Sequence, residues 1–263
     1  MFDFVARARG CSLAEAMAFV RERLGIAREP LRPPLVRPCV SPKLPPLRAG
    51  TTAELRQLAE RRGFAVESLT LAQERGFLSF CGLWGHAAWC ITDQRRQLHE
   101  FRRLNGERWP AYGRLPERKA HCLGHGKDWP VGTLESVPFG KVAWVEGAPD
   151  LLAALHFLRV ERKVNTVAPV GILGASNRAR APEALTHFKG KVVCLYPHAD
   201  DAGRKAAREW ARQLRDAGAA RVTAFDLSGL EKVDGTEGKD LADVALVSAE
   251  SCERDAKWAE VMP

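Results

Sequence analysis

Three short apolar runs of this 263-residue sequence end in acidic residues. Val142-Ala-Trp-Val145 runs into Glu146-Gly147, Lys191–Tyr196 runs into Pro197-His198-Ala199-Asp200-Asp201, and Arg221–Phe225 ends at Asp226. On neighbouring parallel strands, the first two ends bring Glu146 and Asp200 to one rim of the sheet. Ligands of open parallel sheets bind at that rim. Carboxylates placed side by side repel unless a cation neutralises them. An oxygen donor set suits Mg²⁺, which keeps waters and bridges to substrate phosphates. Other roles stay open for the same residues. Asp200 or Asp201 can cap the helix that follows, and Asp150 sits where a carboxylate favours a helix N-terminus. Glu146 has no evident capping role.

The elements that must hold these residues follow from the pattern. From Lys141 onward strand and helix alternate. Strands are expected at 142–145, 166–172, 191–196 and 221–225, with helices at 149–158, 182–188 and 202–217 between and after them. This alternation predicts a four-stranded parallel sheet with flanking helices. Upstream, Ser12-Leu-Ala-Glu15 and Thr51-x-x-Glu54 read as capping boxes that open helices. A further short helix is expected at Thr70–Glu74. Ala87–Ile91 and Leu98–Leu104 read as two strands of a small antiparallel sheet. Residues 110–138 read as loop.

Hydrophobic content of 46% and charged content of 27% fit a globular chain. No apolar run reaches the roughly 20 residues that span a bilayer, and no signal peptide follows the N-terminal MFDFVARARG, so a cytoplasmic protein without a membrane partner is expected. The seven scattered cysteines form no CxxC pair, which favours reduced thiols over a zinc ribbon. His121-Cys-x-x-His125 offers three donors that would hold zinc only with a distant fourth ligand; the alternative is a loop with incidental histidines.

Net charge is +8, and it is uneven. Arg95, Arg96, Arg102, Arg103, Arg108, Arg114, Arg118, Lys119 and Lys127 face only Glu100, Glu107 and Glu117 in the same stretch, with Phe101, Trp109 and Tyr112 interleaved. Such a block suits phosphate tracking with rings for stacking, or a solvated arginine-rich face.

Glu146-Gly-Ala-Pro-Asp150, Gly174-Ala-Ser176, His198-Ala-Asp200-Asp-Ala-Gly203 and Lys239-Asp240-Leu-Ala-Asp243 resemble, in order, the motifs of the Toprim domain. That domain is shared by bacterial-type primases, type IA and II topoisomerases and OLD-family nucleases. The fold expected is thus α/β: a Toprim-like parallel four-stranded sheet with flanking helices, preceded by a smaller α+β basic subdomain. The resemblance is strongest to primases of phages and mobile elements, with His86–Trp109 similar to the strand pair before Toprim and Lys119–Gly132 similar to its basic loop. It implies domains at 1–27 (similar to the tail of a primase zinc-binding domain), 28–50 (proline-rich linker), 51–138 (basic α+β), 139–247 (Toprim) and 248–263 (tail). The zinc ligands of that first module would lie before Met1.

By this resemblance the catalytic residues are Glu146 and Asp200. The metal ligands for Mg²⁺ or Mn²⁺ are Glu146, Asp200, His198 and Asp201, with Gly147, Asp150, Gly203, Lys239 and Asp240 as further motif positions. Arg102, Arg103, Lys119 and Lys127 would contact nucleic acid. The implied activity is synthesis of RNA primers on single-stranded DNA from nucleoside triphosphates, beside a separate helicase. The alternatives are phosphodiester hydrolysis, or DNA binding without catalysis. There is one departure: the family has Asp-x-Asp where this chain has His198-x-Asp200. Imidazole favours Mn²⁺ or Zn²⁺ over Mg²⁺. With no GxxxxGK[ST] loop and only Tyr112 and Tyr196 as tyrosines, OLD-type and topoisomerase readings are disfavoured.

Overall fold

The computed structural model describes residues 2–24, 44–111, 113, 115–173, 180–248 and 260–263. Most of the proline-rich stretch, Tyr112, Arg114, the Gly174-Ala-Ser176 motif and much of the tail lie outside these. The chain divides into two units, 1–41 and 42–263. The first contains α1 (Phe2–Arg9) and α2 (Leu13–Arg23). Ser12 and Glu15 form the expected capping box of α2. The eight residues of α1 are too few to show a helical period in the sequence, and no element was expected there.

The second unit opens with α3 (Thr52–Arg62) and α4 (Val66–Glu74). The capping box of α3 is present, and Arg48 grips Glu54 with two bonds of 2.6 and 2.7 Å. That hydrogen bonding holds the Glu54 carboxyl down at about 2. Its folded value lies below the unfolded one, so its stabilisation is present above about pH 4.5 and is lost as pH falls toward 2. Glu54→Gln should therefore lower stability at pH 7 by about 1 kcal/mol. Thermal melts at pH 7 and at pH 2.5 check this: the difference between variant and wild type should shrink at the lower pH.

Strands β1 (Leu78–Leu83), β2 (His86–Ile91), β3 (Leu98–Arg103) and β4 (His121–Gly124) form an antiparallel sheet in that order. β1 and β4 correct the sequence reading, which has only two strands here and a loop over 110–138. β1 joins β2 through the two-residue turn Trp84-Gly85, both left-handed at φ 50° and 79°. Asn or Asp usually marks such a turn; here Trp84 occupies the position, its ring set against Trp109 and His121. β4 is four residues long and exists through its pairing with β3. α4 also begins four residues earlier than expected.

The chain continues as β5 (Lys141–Glu146), α5 (Ala148–Val160), β6 (Val167–Ile172), α6 (Pro182–Thr186), β7 (Val192–Tyr196), α7 (Asp201–Asp216), β8 (Arg221–Ala224) and α8 (Leu241–Val244). All four strands are parallel in the order β6-β5-β7-β8. The expected α/β architecture is what the structure shows. Alternation along β5 sends Ala143 and Val145 to the face covered by α5, and Val142 and Trp144 to the face covered by α6 and α7. The connection after β5 thus runs to one side, to β6, and the connection after β6 crosses back past β5 to β7 on the other side. That divergence opens a crevice at the carboxyl end of β5, where Glu146 stands.

The two sheets share a core in which Phe77, Phe80 and Trp89 join Val145, Leu151 and Leu155. The connection into β5 is held by Lys191, whose buried ammonium donates to the carbonyls of Ser136 (2.9 Å), Val137 (3.0 Å) and Phe139. Lys191→Met should leave the Val137 and Phe139 carbonyls without this donor, while Ser136 keeps its bond from the Phe139 N–H, and cost about 2–3 kcal/mol, read by denaturant unfolding. Among the described residues no helix is long and apolar enough to cross a membrane.

Candidate metal centre and its basic wall

Gly147 turns the chain from β5 into α5 at φ 95°, ψ 166°, a conformation that glycine alone adopts readily. The turn places Asp150 in the first helical turn, where it is 1% exposed. Its Oδ1 accepts from the Ala242 N–H at 2.9 Å, and its Oδ2 lies 3.1 Å from His198 Nε2. Ala199 N–H in turn donates to the Lys239 carbonyl, which ties the loop after β7 to the segment before α8. Asp240 caps α8 through the Asp243 N–H at 3.0 Å. One donor atom each from Asp150, His198 and Asp240 falls within 4.8 Å of the others. Glu146 lines the same cleft, 8% exposed, with Oε2 buried and without a hydrogen-bond partner.

The electrostatics are those of crowded carboxylates. Burial, then the charge of Asp240, pushes Asp150 up to about 7. Burial also raises Glu146 and Asp240. Burial works against a charged His198, yet the hydrogen bond and charge of Asp150, followed by Glu146, carry it up to about 9. A group of this kind gains from a cation. The orphaned Glu146 oxygen and the clustered donors fit a divalent metal, and the imidazole tilts the set toward Mn²⁺.

The same cleft, of about 550 Å³, is also lined by basic residues. Arg62 comes from the end of α3, Arg102 and Arg103 from β3, and Lys119 and Lys239 from loops. Arg102 is held by Glu100 at 2.8 Å and Arg103 by Glu107 at 2.8 Å.

Residues 144–244 match the family model described as Toprim-like. These residues form a Toprim-like domain. No curated protein matches the sequence. Among solved structures, the primase fragment of bacteriophage T7 primase-helicase protein is 17% identical, with a TM-score of 0.48 over 77% of this chain and 70% of that one. A structure of bacteriophage T7 lagging-strand DNA polymerase interacting with primase domains bound to an RNA/DNA hybrid and dTTP gives 14% identity and a TM-score of 0.41, over 78% of this chain and 73% of that one.

Within the Toprim-like domain, the residues singled out from the sequence fall into two groups. Glu146, Asp150, His198, Lys239 and Asp240 line the cleft, together with Arg102, Arg103 and Lys119 from outside the domain. Asp200 and Asp201 do not line it. Asp200 caps α7, its Oδ1 accepting from the Gly203 N–H at 2.7 Å. Asp201 is 87% exposed and pairs with Arg204 at 2.7 Å. Lys127 is outside the cleft, its carbonyl held by Arg180 at 2.9 Å. His121 is buried against Trp84 and Trp109 and belongs to no metal-ligand group among the described residues. Arg62 and Lys232 line the cleft and were missed. Arg62 ends a helix, where a basic residue is expected for the dipole alone, so the sequence carries no signal of its position.

Proposed function

We propose that this chain transfers nucleotides with the help of a divalent metal, making RNA primers on single-stranded DNA. The observation that carries this reading is the meeting of two kinds of residue in one cleft: the acidic and imidazole groups of Glu146, Asp150, His198 and Asp240, and the basic groups of Arg62, Arg102, Arg103 and Lys119. Mg²⁺ or Mn²⁺ held by Glu146, Asp150, Asp240 and His198 would polarise a phosphoryl oxygen and neutralise charge on it. The guanidiniums of Arg62, Arg102 and Arg103 and the Lys119 ammonium would bind phosphates of the template and of the incoming nucleoside triphosphate. Asp200 supports the site by fixing the first turn of α7 behind His198. Strand separation is assigned to a separate helicase.

The test is a primer-synthesis assay with labelled nucleoside triphosphates, single-stranded DNA and Mn²⁺ or Mg²⁺. Labelled oligonucleotides are expected. Shortened DNA in their place would assign the site to hydrolysis.

The His198–Asp150 pair at 3.1 Å favours a second reading. A protonated imidazole there is a built-in cation, and the chain would then bind nucleic acid without metal or catalysis. DNA binding with neither synthesis nor hydrolysis would select it.

A further inference from the structure

We infer that Glu161, Lys163 and Tyr196 form a slot that reads the main chain of an extended apolar dipeptide, and that this chain's own Val261-Met262 is its exchangeable occupant. The slot lies where α5 ends. Arg162 is left-handed there, at φ 56°, a position that glycine usually takes. The Lys163 N–H closes the turn on the Leu158 carbonyl at 2.7 Å. A non-glycine residue held in this conformation stores strain, and the residues on either side of it both engage the same segment.

Those contacts are mostly to main chain. The Glu161 carboxylate accepts from the Val261 N–H at 2.7 Å and from the Met262 N–H at 3.1 and 3.0 Å. The Tyr196 hydroxyl donates to the Val261 carbonyl at 2.6 Å, and the Lys163 ammonium donates to the Met262 carbonyl. Lys163 also pairs with Glu161 at 3.0 Å, which fixes the two charged groups relative to each other. Val261 and Met262 are each 3% exposed and join the core beside Cys194 and Tyr196. Three side chains thus read two successive peptide units, while the apolar faces of the sheet take the two side chains. This is how an extended ligand is recognised: affinity from the main chain, selection from adjoining pockets. Any extended segment with two adjacent apolar residues presents the same groups, so the occupant can be exchanged for one supplied in trans.

The experiment uses the full chain and a fluorescently labelled peptide of residues 257–263. Val261→Pro with Met262→Pro removes both N–H groups that Glu161 accepts from, together with the resident side chains. The double variant should bind the peptide at least tenfold more tightly than wild type, whose tethered segment competes at an effective concentration on the order of millimolar. Adding Glu161→Ala should weaken that binding tenfold or more. A folded double variant that does not bind the peptide, or binds it regardless of Glu161, overturns the inference. If the double variant does not fold, hydrogen exchange on wild type decides. Excess peptide must raise exchange at the Val261 and Met262 amides, and unchanged exchange at millimolar peptide overturns it equally.

Discussion

Glu146→Gln should abolish most synthesis while leaving the fold and nucleic-acid binding intact. The substitution keeps volume and polarity and removes one charge. Glu146 is 8% exposed and its Oε2 has no partner, so no hydrogen bond is lost at that oxygen. Burial raises its carboxyl above the ordinary range, so the ionised form is less well stabilised in the folded chain than in the unfolded one. Removing the charge should leave the melting temperature unchanged or slightly higher. The basic wall is untouched, and binding to single-stranded DNA should remain. The rate should fall by about 10²–10³, the usual consequence of deleting one preorganised electrostatic group at a reacting phosphate. Steady-state primer synthesis beside fluorescence anisotropy with labelled DNA reads both effects. Equal loss of both would mean that Glu146 serves the fold or the DNA surface instead.

Gly203→Ala should be destabilising although it lies in a helix. At an open helical position the change gains about 1 kcal/mol. Here a β-carbon would stand 2.3 Å from the His198 carbonyl oxygen and 2.8 Å from the His198 nitrogen. Both atoms are main chain and cannot swing aside. Forcing them apart costs about 1–3 kcal/mol, beyond any helical gain. A fall in melting temperature of several degrees is expected. The displaced loop carries His198, so Mn²⁺ affinity should fall with it. A variant as stable as wild type would show that the first turn of α7 does not abut the His198 main chain.

The contrast between these two residues shows what the sequence makes legible. Glu146 was visible because it ends an apolar strand and has no local role, and strand order alone set it on the rim. Asp200 was visible too, together with its competing role as a helix cap, and the cap is the contact the structure displays. Asp240 appeared only as a motif position, and Asp150 as a motif position and a carboxylate at a helix start. Their convergence depends on contacts such as that between Asp150 and the Ala242 amide, 92 residues apart, which no local periodicity encodes. Arg62 was hidden because a helix end accounts for it without reference to any site. β4 was hidden because four residues cannot show an alternation, and its pairing with β3 makes it a strand.

The most direct measurement is calorimetric titration of Mn²⁺ into the wild-type chain and into Asp150→Asn. Saturable binding to wild type is expected, weakened at least tenfold in the variant, because Asp150 both supplies a ligand oxygen and fixes His198 at 3.1 Å. A wild-type chain that is folded and binds single-stranded DNA, yet takes up no Mn²⁺ or Mg²⁺, would contradict a metal centre at this cleft.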